Sequence, residues 1–167
     1  MRQRPDSHLC TGKEAPDFRV LDADEQWFKL SEELKSGPIV LVFYPADFGV
    51  VCSIEMREFK EAKEEFDLRG YRVVWINTDS IRSHRGWRAK MNVPFRMLSD
   101  ASGKASKLFG VFIENENGLL KRFSNRAIFV IQEDGCITYK WVADQPAVSP
   151  DLKQVIASLD RKMDVNR

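Results

Sequence analysis

The sequence has few of the residues that build disulfide scaffolds or metal sites, with three cysteines and two histidines in 167 residues. Three cysteines far apart in the chain exclude a disulfide-rich scaffold. Cys52 is followed by Ser-Ile-Glu, so the chain lacks the Cys-x-x-Cys pair that a dithiol–disulfide exchanger uses. His8 lies close to Cys10, but His84 is distant, and this spacing matches no known metal site. We therefore expect neither a metal nor another cofactor.

Long apolar runs and an excess of one charge are also missing. No segment reaches transmembrane length, and the start MRQRPDSHLC lacks the apolar core of a signal peptide. Lys and Arg number 26 against 25 Asp and Glu, so no global charge attracts nucleic acid or an anionic membrane. We expect a cytoplasmic protein that binds neither nucleic acid nor a membrane. We expect it to consist of a polar N-terminal tail over residues 1–11 and one domain over residues 12–167.

The apolar patterns that are present predict an α/β fold. Residues 17–21 and 27–30 predict an N-terminal β-hairpin, followed by a helical turn capped by Ser31. Further strands are predicted over 39–44, 71–77, 127–131 and 137–142, and helices over 50–68, 83–91 and 101–109, with a last helix capped by Ser149. This order predicts a mixed central sheet with helices on both faces, which is the thioredoxin fold.

Cys52 is the strongest candidate for a reactive group. It follows an apolar strand segment and begins an amphipathic helix, where free backbone N–H groups and the helix dipole favour the thiolate. Pro45 gives a rigid exit from the strand. Arg126 precedes a central strand and is expected near the same end of the sheet, where its guanidinium would stabilise negative charge. The alternatives are a buried, inert Cys52 and an Arg126 that forms a surface ion pair.

Five segments of the chain carry a family resemblance. They are GKEAPDF at 12–18, LVFYPADFGVVCSIE at 41–55, DSIRSHRGW at 79–87, MLSD at 97–100 and NRAIFVIQEDG at 125–135. In this order and spacing they resemble peroxiredoxins of the alkyl hydroperoxide reductase/thiol-specific antioxidant family, in a bacterioferritin comigratory protein-like or one-cysteine-like subgroup.

The resemblance implies an antioxidant enzyme, a thiol-dependent peroxidase that reduces hydrogen peroxide and small organic hydroperoxides. Cys52 would be its redox-active residue: the thiolate attacks a peroxide oxygen, expels water or an alcohol, and becomes a sulfenic acid. The resemblance further implies that Pro45 shields the sulfenate, that Arg126 orients the peroxide, and that Glu55 holds this arginine. The residues implied to line the substrate pocket are Tyr44, Trp87 and the residue at position 49.

Position 49 departs from the family. The family signature is Pro-x-x-x-Thr/Ser-x-x-Cys, and Gly49 stands where the hydroxyl belongs. In the family this hydroxyl binds both thiolate and peroxide, and loss of one such donor typically costs roughly 10²–10³ in rate. We therefore expect a slow peroxidase. The alternatives are that Gly49 only relaxes the loop, or that the chain is a catalytically weak redox sensor or interaction module.

The sequence leaves several candidates for the thiol that reduces the sulfenic acid. The family places a resolving cysteine five residues after the first, where this chain has Arg57, or in a C-terminal extension, and no cysteine follows Cys136. The candidates are Cys10 on a mobile tail, Cys136 at the start of a strand, and an external thiol from thioredoxin, glutaredoxin or a small molecule. The resemblance also allows a homodimer, with Phe48 and Trp87 as exposed aromatic contacts or with Trp87 in the core.

Overall fold

The apolar segment Ile39–Phe43 forms β3 at the centre of the sheet, with all five residues buried. The computed structural model of the protein describes residues 9–165, with side chains described up to residue 161. The first eight residues of the predicted tail lie outside this range. The remaining strands are β1 Arg19–Asp22, β2 Trp27–Lys29, β4 Arg72–Asn77, β5 Arg96–Ser99, β6 Phe112–Glu114, β7 Arg122–Ser124, β8 Ala127–Ile131 and β9 Ile137–Val142.

Seven of these strands form one mixed sheet in the order β2-β1-β5-β4-β3-β8-β9, and β6 and β7 form a separate hairpin. Strands β3, β4 and β5 are parallel, and β8 is antiparallel to β3. The register pairs Phe43 with Ala127, so the end of β3 lies beside the start of β8. This pairing determines which residues meet at the functional site.

Helices cover both faces of the sheet. They are α1 Leu30–Glu33, α2 Val50–Glu61, α3 Lys63–Leu68, α4 Ile81–Met91, α5 Lys104–Leu108 and α6 Leu152–Val165. Side chains alternate between the faces, so Val40 and Val42 join one apolar core with α2, α4 and α6, while Leu41 and Phe43 join another with α5. The predicted thioredoxin fold, with its N-terminal hairpin and helices on both faces, is confirmed.

Several local predictions were wrong at helix ends. Ser31 does not cap a helix, because its hydroxyl donates to Asp17 and α1 begins at Leu30 without a side-chain cap. The predicted helix over 50–68 is broken at Ala62 into α2 and α3. Asp151 replaces Ser149 as the last cap, since its carboxylate accepts the Lys153 N–H at 3.0 Å. Strand β5 was not predicted as a strand.

The segment around Cys10 differs from the mobile tail that the sequence suggested. Leu9 is buried, the Gly12 N–H donates to the Ile137 carbonyl at 2.8 Å, and the Ala15 N–H donates to the Gly135 carbonyl at 2.8 Å. These bonds hold residues 9–15 against the start of β9. Within residues 9–165, no helix is both long and apolar enough to cross a bilayer.

Candidate active site around Cys52

Cys52 lies in the first turn of α2, directly beyond the carboxyl end of β3. Tyr44 and the five-residue loop from Pro45 to Gly49 join the two elements, and Gly49 occupies the N-cap position without a side chain to cap the helix. The sulfur is nearly sealed, since Cys52 is only 3% exposed. Burial alone fits the inert alternative, so the polar neighbours of the sulfur decide what this cysteine can do.

The decisive neighbour is Arg126, which precedes β8. Its Nη2 donates to Cys52 Sγ at 3.2 Å, its Nη1 donates to Glu55 Oε2, and its Nε donates to the Pro146 carbonyl at 3.0 Å. Arg126 and Glu55 are both buried, with Glu55 one helical turn beyond Cys52. A guanidinium fixed by three acceptors has little freedom to turn away from the sulfur. The surface ion pair considered for Arg126 is therefore excluded.

The pKa of the Cys52 thiol reflects two opposing effects. Burial raises it, while the Arg126 guanidinium and a hydrogen bond from the Ala46 backbone N–H lower it, and burial is the larger effect. This direction is opposite to the lowered pKa that the helix terminus predicted. The reason is that the sequence could not show how completely the surrounding side chains would remove water from the sulfur. The thiolate consequently depends on Arg126 rather than on the helix end alone.

Glu55 competes with Cys52 for the same positive charge. Burial raises the pKa of Glu55 to about 7, although Arg126 acts in the opposite direction. Its second oxygen, Oε1, is buried without a hydrogen-bond partner among the described residues. One guanidinium therefore faces two groups that can each carry a negative charge.

The backbone at Gly49 does not require glycine. Its φ of −65° and ψ of 145° lie in the extended region open to any residue. A Cβ at this position would lie 3.5 Å from Cys52 Sγ and 3.3 Å from the Ala46 carbonyl oxygen. A serine here would fit closely, and its hydroxyl could reach the sulfur.

The other expected pocket residues are more deeply buried than the sequence suggested. Trp87 is fully buried, which agrees with the core alternative and excludes the exposed contact; it stacks on the Tyr44 ring at a centroid distance of 5.4 Å. Tyr44 is also fully buried, and both rings belong to the same core as Cys52. Pro45 is buried at the start of the loop. Phe48, by contrast, is half exposed.

Cys10 and Cys136 lie away from Cys52. Cys136 directly precedes Ile137, which pairs with Ile131 at the opposite end of β8 from Arg126. Crossing a five-residue strand spans about 15 Å, whereas a disulfide needs Cα atoms within about 7 Å. The segment carrying Cys10 is bonded at the same distant end of the sheet. All three cysteines are free thiols.

Two buried residues near the site were missed. Asp47 lies in the loop before Cys52, and His84 lies on α4, with His84 Nδ1 2.7 Å from Asp47 Oδ2. The two are 37 positions apart in the chain, and neither has a sequence neighbour that reveals the pairing. The only sequence signal for them was that Asp47 lies in LVFYPADFGVVCSIE and His84 in DSIRSHRGW, two of the segments that carry the family resemblance.

Comparisons with known proteins agree with this geometry. Residues 11–140 match the model of the AhpC/TSA family. The chain is 31% identical over 131 residues to a putative peroxiredoxin bcp of Coxiella burnetii, covering 78% of this chain and 86% of that protein. It is 36% identical over 162 residues to the selenocysteine-containing peroxiredoxin PrxU of Peptoclostridium acidaminophilum, covering 89% and 77%.

The fold of this chain is also similar to that of a solved structure. Peroxidoxin BcpB from Mycobacterium tuberculosis superimposes with a TM-score of 0.80 at 28% identity. The similarity covers 92% of this chain and 97% of that one. The shared fold includes the strands and helix that bring Arg126 to Cys52.

Proposed function

The chain belongs to the AhpC/TSA family of peroxiredoxins and is a thiol-dependent peroxidase, and we propose that Cys52 is its peroxidatic residue. The observation that carries this proposal is the bond from Arg126 Nη2 to Cys52 Sγ, made while Nη1 binds Glu55. A permanent cation held against a sulfur at a helix N-terminus favours attack on an electrophilic oxygen.

In the proposed reaction, the Cys52 thiolate attacks one oxygen of a peroxide ROOH. A sulfur–oxygen bond forms, the oxygen–oxygen bond breaks, and the departing RO⁻ takes up a proton to leave as ROH. Sulfur has then lost two electrons and is a sulfenic acid. Arg126 faces the reacting sulfur and stabilises the charge that develops on the peroxide oxygens, while Glu55 fixes the orientation of the guanidinium.

We propose that an external thiol reduces the sulfenic acid, because Cys10 and Cys136 are bonded at the far end of the sheet. Two thiols supply two electrons and become a disulfide, and the oxygen leaves as water. The donor class is thioredoxin, glutaredoxin or a small thiol.

A stoichiometric pulse of hydrogen peroxide tests both proposals. We expect the intact mass under non-reducing conditions to rise by one oxygen atom, with the modification mapped to Cys52. Loss of two hydrogens, with a peptide joining Cys52 to Cys10 or to Cys136, would contradict resolution by an external thiol. Modification elsewhere would contradict the assignment of Cys52.

We further propose that Gly49 slows the peroxidase. Gly49→Ser should raise the rate of Cys52 oxidation by roughly tenfold, because a hydroxyl on a Cβ 3.5 Å from Sγ can donate to thiolate and peroxide. Stopped-flow tryptophan fluorescence would measure this rate constant. Gly49→Ala is the matched control, since it adds the same Cβ without a donor. Equal rates in the two variants would show that Gly49 affects only the loop.

The alternative function is a redox sensor, in which oxidation of Cys52 signals. The missing hydroxyl favours it, and the retained Arg126 and Glu55 contacts favour the enzyme. Catalytic peroxide consumption with dithiothreitol separates the two, since a sensor is oxidised without efficient turnover. The remaining proposals are a cytoplasmic location, which fits three unpaired cysteines, and a homodimer through a surface where Phe48, Val50 and Ile54 are exposed.

A further inference from the structure

The Pro45–Gly49 loop determines how Cys52 meets its neighbours. The Ala46 N–H lowers the pKa of the Cys52 thiol, and Gly49 begins the helix turn that carries this residue. Phe48 adopts a φ of +65°, which bulky residues take only when their surroundings impose it. Something therefore holds this loop firmly in place.

The residue that holds it is Asp47, at the centre of the loop. Its backbone N–H donates to Asp79 Oδ2 at 2.7 Å. Four side chains lie within hydrogen-bond distance of its buried carboxyl group: Tyr44 Oη at 2.5 Å, Asn77 Nδ2 at 3.3 Å, Ser83 Oγ at 2.8 Å and His84 Nδ1 at 2.7 Å. These partners come from the end of β3, the end of β4 and helix α4. One carboxylate thus joins three elements to the loop.

The hydrogen bonds of His84 fix the orientation of its ring. Nε2 lies 2.8 Å from the Leu98 carbonyl oxygen, which can only accept, so Nε2 donates. Nδ1 lies 2.7 Å from Asp47 Oδ2, and both side chains are fully buried. The ring is therefore held between β5 and the carboxyl group of Asp47.

The same bonds exclude a different role for this histidine. A general base needs a free ring nitrogen, and both nitrogens of His84 are hydrogen-bonded to groups that are not part of the reaction. The other groups that face it are the Tyr44 hydroxyl, 3.5 Å from Nδ1, and the carboxylate of Asp79, whose pKa is raised by burial.

We propose that His84 is a positioning residue of the peroxidase: through its hydrogen bonds to the Leu98 carbonyl and to Asp47 it fixes Asp47, and Asp47 fixes the loop that holds Cys52 against Arg126. The proposal rests on the proposed function of Cys52. It assigns to the Asp47–His84 pair an effect on the rate of Cys52 oxidation beyond its effect on stability.

The first test reads the hydrogen bonds of His84 directly. In ¹⁵N-labelled His8→Gln protein, His84 is the only histidine, so its ring signals need no further assignment. We expect a ring N–H proton at Nε2 that exchanges slowly with water, because it is buried against the Leu98 carbonyl. A ring N–H that exchanges rapidly with water would overturn the proposal, whether or not the protein consumes peroxide.

The second test measures Cys52 oxidation by hydrogen peroxide in single turnover. His84→Gln should slow it about tenfold, because one amide group cannot replace two ring nitrogens that bind Asp47 and the Leu98 carbonyl separately, and the loop relaxes. Asp47→Asn should slow it similarly, and the double variant should be no slower than the slower single variant, since both act through one contact.

The control is Asp100→Asn. Asp100 is also a buried carboxylate after a parallel strand, but it accepts from Ala105 N–H and from the N–H and hydroxyl of Ser106 in α5. We expect a lower thermal midpoint with an unchanged oxidation rate. An equal loss of rate in Asp100→Asn and His84→Gln, or additive losses in the double variant, would reduce His84 to a stabilising residue. If His84→Gln does not fold, the nitrogen spectrum decides. Wild-type protein that shows the protected His84 ring N–H but consumes no peroxide would contradict the proposed function alone.

Discussion

Replacing Cys52 by serine should lower catalytic peroxide consumption by roughly 10³-fold or more, to the background of dithiothreitol alone. Serine keeps the size of the side chain, but its hydroxyl stays protonated at neutral pH, so Arg126 would face an unreactive group. The measurement is steady-state loss of hydrogen peroxide with dithiothreitol as electron donor. Thermal unfolding of the variant should remain close to wild type, because the exchange is nearly isosteric in a buried position.

Cys10→Ser and Cys136→Ser are the matched controls for this prediction. Both thiols lie at the far end of the sheet, so the first oxidation of Cys52 should keep its wild-type rate constant in each variant. Residual consumption in Cys52→Ser that disappears in the triple variant would show that another cysteine reacts with peroxide, and would contradict the assignment.

Replacing Arg126 by methionine should slow Cys52 oxidation by roughly 10²–10³-fold. Burial already raises the pKa of the Cys52 thiol, and the guanidinium is the largest effect that opposes it. Without it the thiolate fraction falls and the peroxide loses its charged donor. The rate constant at several pH values separates the two contributions, because a shifted thiol pKa moves the profile while a lost donor lowers its plateau.

Arg126→Met also leaves Glu55 buried without a cation, so a second variant is needed. Arg126→Lys keeps the charge, and it should oxidise faster than Arg126→Met but slower than wild type, since one ammonium cannot bind Cys52 and Glu55 in the same fixed geometry. Arg96→Met is the control for lost stability. Arg96 binds the carboxylates of Asp22 and Glu33 at the other end of the parallel strands, so its loss should leave the oxidation rate unchanged. A wild-type rate of Cys52 oxidation in Arg126→Met would contradict the proposed role of this guanidinium.

The strands could be predicted from sequence where burial was complete. The central segments 39–44 and 127–131 are continuous apolar runs, and the structure forms the strands Ile39–Phe43, one residue shorter than predicted, and Ala127–Ile131. Strand β5 was missed because its four residues start with Arg96, whose charge is balanced by Asp22 and Glu33 from distant parts of the chain. Such pairing across sequence has no local signature.

The site could also be predicted only in part. Adjacent strand ends were enough to place Arg126 near Cys52, because the direction of each strand follows from the order of the elements. The pKa of the Cys52 thiol and the contact between Asp47 and His84 could not be predicted, because both depend on how side chains from three elements exclude water. Residue type and spacing identify a reacting group, whereas its protonation depends on packing.

The depth of the Cys52 sulfur has a consequence for the timing of the catalytic cycle. A molecule as small as hydrogen peroxide needs only a narrow entrance. A protein donor, by contrast, must bring its own sulfur into contact with Cys52 Sγ to form a disulfide. With so little of Cys52 exposed, we expect that contact to need local opening of the first turn of α2. Glycine at the cap leaves this turn without a side-chain cap bond. We therefore expect Gly49, which we propose slows oxidation, to hasten reduction by a protein thiol.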